Sequence, residues 1–243
     1  MPSDRAHLLF EGQVHSISLK AEVDIAALKA IVPPLCEVRE ALLEVQVIQL
    51  LNLGWLAGRG YNIVAVRVPV SYKTKPYTFT PVLWESEADP VLTGREELGS
   101  PKLFANIPKP RRLHDGYAGT ASWDGFCFFD YAASDLVAAD GQPAPAAQNL
   151  LYKYFPRTGD WDQPEVSQFT IAVPGEHPPV ALLKHKTGSG RFAFNEARWE
   201  DMPTQYSFVN ALASLPIAKT ATVTVTKIDG IADLRAQRIL EAI

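Results

Sequence analysis

The sequence predicts a strand-rich α+β domain, in which strands outnumber helices and are numerous enough to close into a barrel. Three observations carry this. Segments with β-branched residues and period-two alternation recur along the chain, most clearly Tyr61–Tyr72 and Thr220–Thr226. Clusters of Gly, Pro and Asp punctuate them. Helical spacing is confined to short stretches near 25–31, 204–212 and 233–243. With 243 residues, 47% of them hydrophobic, and with no internal repeat, the chain is read as one domain, 1–243, that buries a sizeable core.

Taken in order, Phe10–Lys20 alternates weakly through Val14, Ile17 and Leu19 and reads as a first strand. Asp24 is placed to cap a helix carrying Ile25, Ala26, Leu28 and Ile31, which Pro33-Pro34 stops. Leu42–Leu53 has the propensity of a helix, yet the preceding helix has just ended and Val45–Leu50 partly alternates, so a strand is expected. Gly54 and Gly58-Arg59-Gly60 turn the chain into Tyr61–Tyr72. Strand period puts Ile63, Ala65 and Arg67 on one face and Asn62, Val64, Val66 and Val68 on the other.

Tyr77–Trp84 is the next expected strand, and Ala88-Asp89-Pro90 opens a connection. The run Trp123–Tyr131 is aromatic but lacks interleaved Lys or Arg, which fits sheet core rather than a nucleobase platform. Ala132–Gln148 has no periodicity and is expected to be a loop. Strands follow at Leu150–Phe155, Glu165–Val173, Val180–Lys186 and Gly190–Trp199. A helix at Thr204–Leu212 sets Phe208, Leu212 and Leu215 against the core. Thr220–Thr226 is the last strand, and Asp233–Ile243 a closing helix with Leu234, Ile239 and Leu240 inward.

Composition excludes several classes. A net charge of −4 and a pI near 5.8 argue against nucleic-acid or anionic-membrane partners, leaving Lys109, Arg111 and Arg112 as a solvated loop. Met1–Gln13 is too short and wrongly flanked for a signal peptide, and no apolar run approaches the roughly 20 residues that span a bilayer. Cys36 and Cys127 have no metal-type spacing, and the five histidines form no ligand pair, so no metal is expected and the cytoplasm is the default location. His114, beside Asp115, is the one histidine in a setting that suits a base. No nucleophile elbow, phosphate loop or dinucleotide fingerprint is present.

The stretch Gly94-Arg95-Glu96-Glu97-Leu98-Gly99-Ser100-Pro101-Lys102-Leu103-Phe104 holds the chemistry. It sets Lys102 between a rigid proline and an apolar pair. Such a lysine either snorkels to solvent or is desolvated, and desolvation favours the free amine that attacks a carbonyl. Gly-Arg-Glu, four residues and Pro-Lys resembles the motif of the acetoacetate decarboxylase family, in which the lysine forms a Schiff base. Ala27–Pro34, Val68–Tyr72 and Asn149–Pro156 resemble further family segments in the same order, and the family also places a strand at Leu42–Leu53. The resemblance implies an acetoacetate-decarboxylase-like antiparallel β-barrel with flanking helices, a homo-oligomer, and catalysis without a cofactor. Acetoacetate decarboxylase is itself a standard example of lysine activation.

An imine on Lys102, once protonated, accepts the electrons released by departing carbon dioxide, and the same sink serves aldol addition and dehydration. Arg95 and Glu96 read as a structural ion pair fixing the loop. The departures from the family are specific. Leu103 stands where the decarboxylase proper has a second lysine, Gln46 and Ile63 fall where the family carries pocket carboxylates, and Val14 lies near its upstream arginine. The pocket is therefore expected to be more apolar, with substrate contacts from Arg67, Gln46, Ile63, Tyr61 and Leu103. Trp55, Trp84 and Arg59 are weaker candidates. Three functions are compatible with this pattern: decarboxylation of a β-keto acid, Schiff-base aldol condensation with dehydration on a larger keto substrate, and a non-catalytic binding role on the same fold.

Overall fold

The structure is a computed structural model and describes residues 11–143, 147–172, 180–231 and 237–243. Strand β1 (Gln13–Glu22) leads to a helical turn, α1 (Ile25–Leu28), which tightens into a 3₁₀ turn at Lys29–Ile31. Asp24 caps α1, its carboxylate accepting from the Ala26 N–H at 2.8 Å. Then come β2 (Glu37–Val38), β3 (Leu42–Leu53), β4 (Arg59–Tyr72), β5 (Lys75–Phe79) and β6 (Leu83–Glu85). Helix α2 (Ala88–Thr93) runs straight into a π-helical turn at Gly94–Leu98, and β7 (Lys102–Phe104) follows. The chain continues through β8 (Arg111–Arg112), β9 (Tyr117–Trp123), β10 (Phe126–Ala138), β11 (Asn149–Arg157), β12 (Asp160–Ala172) and β13 (Ala181–Phe194). It ends with α3 (Tyr206–Ala213), β14 (Ala221–Asp229) and β15 (Gln237–Ala242).

These strands form one large mixed sheet in the order β15-β12-β11-β5-β4-β3-β1-β14-β13-β10-β9-β8, with β2, β6 and β7 pairing off that path. The expectation of a strand-rich fold with few helices holds, but the sheet is mixed rather than antiparallel throughout. Two of the ladders, β5–β11 and β6–β7, are parallel, and among the described residues no ladder joins β8 to β15.

Strand period sorts the two faces. Ile17, Leu19, Val45, Val47, Val64, Val66, Val223 and Val225 are buried on one face, in the principal core beneath Leu28, Val209 and Leu212 of the helices. Phe128, Phe129, Phe192 and Phe194 extend that core, which is where the aromatic run belongs. On the opposite face Leu53, Tyr61, Ile63, Ala65 and Leu83 form a second, smaller buried cluster. Among the described residues no helix is long and apolar enough to cross a membrane.

Several local expectations change. Tyr77–Trp84 breaks into β5 and β6 around Pro81, which has no N–H to give a ladder. Ala88–Thr93 is a helix, with Pro90 in its first turn where proline is tolerated. The expected loop 132–148 begins as sheet, because β10 runs to Ala138 and pairs with β13. The two strands expected at 180–199 are a single one, since Gly188 and Gly190 allow close approach rather than a turn. A Cβ there would lie 2.4 Å from the Ser134 carbonyl oxygen and 2.5 Å from that of Ala132. Phe208 is exposed while Leu212 and Leu215 are buried. The closing helix is replaced over 237–242 by β15, paired with β12, where Ile239 faces solvent and Leu240 packs on the core. Leu234, Phe10, Val173, His7 and His177 lie outside the described residues.

Candidate active site

The site begins with two short ladders. β6 pairs antiparallel with β4, setting Glu85 opposite Ile63 and Leu83 opposite Ala65. β7 pairs parallel with β6, setting Lys102 beside Leu83 and Phe104 beside Glu85. Alternation then puts Lys102, Glu85, Leu83, Ile63, Ala65 and Tyr61 on the face of the smaller cluster. Trp84 and Leu103 turn the other way. Trp84 is wholly buried against Phe128, its indole N–H donating to Gln205 Oε1 at 2.8 Å, and Leu103 packs against the principal core. Leu103 therefore does not share a face with Lys102.

Lys102 is buried, and its ammonium donates to Glu85 Oε1 at 2.9 Å and to the Pro90 carbonyl at 3.0 Å. The π-helical turn lies directly on it. A Cβ on Gly94 would fall 2.2–2.3 Å from the Cε, Cδ and Nζ atoms of Lys102. Gly94 has ordinary helical angles, φ −65° and ψ −38°, so glycine is needed here for space and not for conformation. π-turns of this kind recur at functional sites.

Gly99, at φ 74°, ends the turn, and the Ser100 N–H closes back on the Gly94 carbonyl at 2.9 Å. Arg95 fixes the loop by donating to the Lys102 carbonyl at 3.1 Å. Its expected ion pair with Glu96 is not among the ion pairs of the described residues. The Glu96 carbonyl instead accepts from Lys153.

Glu85 is the buried acid that sequence reasoning missed beside Lys102. It is 1% exposed, and its second oxygen, Oε2, is buried without a hydrogen-bond partner. Burial raises its carboxyl above the ordinary value, with the Lys102 charge opposing. Tyr61, also buried, has its phenol pushed up by burial and further by the Glu85 charge. The only available signal was period two: Glu85 is two residues beyond Leu83, at the end of an apolar run. Its partner lies 17 residues on, and nothing local announces the pairing.

The same face continues along β4, β3 and β1. Arg67 stands opposite Glu44, Ala65 opposite Gln46, and Gln46 opposite Ser18. Glu44 Oε1 accepts from Ser18 Oγ at 2.5 Å and from Gln46 Nε2 at 2.9 Å. Arg67 is half-buried, and its Nε has no partner. Burial lowers the guanidinium value, with Glu44 opposing. The structure thus collects Lys102, Tyr61, Ile63, Gln46 and Arg67 on one face and adds Glu85 and Glu44. Carboxylates neighbour both positions, Gln46 and Ile63, where the family resemblance leads one to expect them. Trp55 contacts Tyr61 edge-on at 6.3 Å, whereas Arg59 and His114 are exposed. A groove of about 400 Å³ bounded by Ile31, Phe79, Val82 and Leu212 belongs to the principal core and not to this site.

Comparison with known proteins agrees with this fold. A solved structure of acetoacetate decarboxylase superposes with a TM-score of 0.75 at 15% identity, over 96% of this chain and 90% of the other. The enduracididine biosynthesis enzyme MppR, in complex with pyruvate, superposes at 0.73 with 17% identity over 96% and 90%. Acetoacetate decarboxylase from Legionella pneumophila does so at 0.69 with 18% identity over 96% and 87%. Nothing matches among curated protein sequences. The family model for acetoacetate decarboxylase (ADC) matches residues 1–231, and the chain belongs to that family.

Proposed function

We propose that this protein is a cofactor-independent lyase in which Lys102 forms an imine with a keto acid, decarboxylation of a β-keto acid being the principal reaction. The observation that carries the reading is the buried Lys102 amine, held against Glu85 beneath the glycine of its own motif. Attack of the amine on a ketone and loss of water give an iminium. The carbon–carbon bond to the carboxylate then breaks, its electron pair moves into the iminium, and an enamine remains to be protonated. Ile63, Ala65 and Leu83 line the amine with aliphatic surface, which keeps water away from the intermediate. Arg67 and Gln46, further along the face, receive the polar end of the substrate, and the unpartnered Arg67 Nε is a donor awaiting an oxygen.

A second reading, aldol condensation and dehydration, is favoured by one observation. These steps require a base for the carbon next to the iminium, and Glu85 is a carboxylate already in contact with the nitrogen. MppR structures with pyruvate, and with the condensation product of pyruvate and imidazole 4-carboxaldehyde, have this fold. As in the family, the assembled protein is proposed to be a homo-oligomer in the cytoplasm.

The test is intact mass after borohydride treatment with a panel of keto acids and aldehydes, beside Lys102→Ala. The expected result is an adduct lost in the variant, with carbon dioxide release distinguishing decarboxylation from condensation. An adduct that persists in Lys102→Ala, or no adduct with any panel member, overturns the Schiff-base reading in favour of a binding role.

A further inference from the structure

An imine-forming lysine needs more than a nucleophilic nitrogen. Its ammonium must lose a proton before attack, and the carbinolamine oxygen must gain one before it leaves as water. Around Lys102 the candidates are few. Tyr61 on β4 has a phenol that burial keeps protonated, so it cannot accept. Arg95 of the π-turn is bonded to the Lys102 carbonyl, and a guanidinium offers only donors. Arg67 and Glu44 lie farther along the face, and Glu44 is already engaged by Ser18 and Gln46. The Pro90 carbonyl accepts a hydrogen bond but cannot hold a proton.

Resting on the Schiff-base reading of Lys102, we propose that Glu85 is the proton-transfer residue of this site, taking the proton of the Lys102 ammonium and returning it to the departing carbinolamine oxygen. Its two oxygens are placed for this. Oε1 meets Nζ at 2.9 Å, and Oε2, buried and unpartnered, is free to carry the proton. The step balances. Ammonium and carboxylate become amine and carboxylic acid; the amine adds to the carbonyl carbon, and the ammonium proton set free on the nitrogen passes to the new alkoxide. The acid O–H then protonates that hydroxyl, the C–O bond breaks with loss of water, and iminium and carboxylate remain. The raised carboxyl of Glu85 suits a group that must be protonated for part of each turnover.

The experiment measures imine formation at Lys102 with formaldehyde, a probe small enough to be independent of the natural substrate. The imine is trapped by borohydride and read by peptide mass over a pH series, with Lys102→Ala as site control. Glu85→Gln is expected to slow labelling about 100-fold, while Glu85→Asp, which keeps a carboxylate, retains at least a tenth of the wild-type rate. A merely structural ion pair gives the opposite sign, because removing the negative charge frees the amine. Unchanged or faster labelling of Glu85→Gln therefore overturns the proposal. Near-UV circular dichroism confirms folding. Should the Gln variant not fold, the Asp variant decides by its pH profile: an acid limb moved from the wild-type position supports the proposal, and an unmoved one overturns it. Normal formaldehyde labelling with no keto-acid adduct in wild type would sink the Schiff-base function while leaving the role of Glu85 to its own variants.

Discussion

Replacing Gly94 with alanine tests whether the motif glycine exists to seat the lysine. By local propensity alone the change stabilises, since alanine is better than glycine in a helix by about 1 kcal/mol and Gly94 already has helical angles. The new Cβ, however, would lie 2.2 Å from Lys102 Cε and 2.3 Å from Nζ. The atoms met are the far end of a flexible side chain, so Lys102 gives way, and it must move by about 1.2–1.8 Å to reach ordinary contact. That displacement stretches the 2.9 Å bond to Glu85 and the 3.0 Å bond to Pro90 beyond hydrogen-bonding range.

Breaking a buried ion pair costs about 3–5 kcal/mol, at the lower end where burial favours the neutral form of one partner, as it does for Glu85. Set against the propensity gain, the net loss is about 2 kcal/mol, equivalent to a Tm lower by about 4–8 °C for a chain of this size. Urea or thermal unfolding followed by circular dichroism measures it, and borohydride trapping on the same sample reports the amine. A Gly94→Ala protein that is more stable than wild type and traps keto acids equally well would refute the reasoning, because propensity would then be the whole effect.

Three further outcomes follow from the same contacts. Arg67→Met is expected to raise KM for keto acids about 10- to 100-fold, the worth of a charge-assisted hydrogen bond, and to leave neutral ketones unaffected; equal loss for both would remove Arg67 from the site. The single variants Lys102→Met and Glu85→Leu each lose about 3–5 kcal/mol in urea unfolding, whereas the double variant recovers most of it; additive losses would show that the two residues are not paired. The hydrogen bonds from Arg198 hold Asp201 at about 2, below its ordinary 3.8, so its contribution to stability is present above 3.8 and lost as pH falls through about 2. The stability gap between wild type and Asp201→Asn should accordingly narrow over that interval, and a gap that widens on acidification would contradict the assignment.

Much of this arrangement was legible because it is local. The flanks of Lys102 left it open between snorkelling and burial, and the structure buries it; period two correctly placed Ile63, Ala65 and Arg67 against Val64, Val66 and Val68. What was missed depends on pairing between distant segments. Gly188 falls in the turn read between two strands, yet it and Gly190 mark where the β10 backbone approaches closely. Leu234, Ile239 and Leu240 have helical spacing, but an unpaired edge of β12 recruits 237–242 as a strand. Glu85 reads as one more surface acid in the Glu85-Ser86-Glu87 run, and only the β6–β7 ladder brings Lys102 over it.

The Lys102–Glu85 pair is also hard to explain as a device for stability. A buried ion pair replaced by well-packed apolar side chains usually leaves a protein as stable or more so, and the neighbouring positions Leu83, Ile63 and Ala65 are already aliphatic. The fold at this point would accept Met and Leu. Instead it contains two charges, leaves Glu85 Oε2 and Arg67 Nε without partners on the same sheet face, and gives up a side chain at Gly94 to make room. Each of these is unfavourable for packing, and together they match what the proposed proton-transferring amine site requires: a nucleophile, a carboxylate to shuttle its proton, free polar atoms for a substrate, and an aliphatic wall. The polar groups that oppose folding here are the ones the proposed chemistry uses.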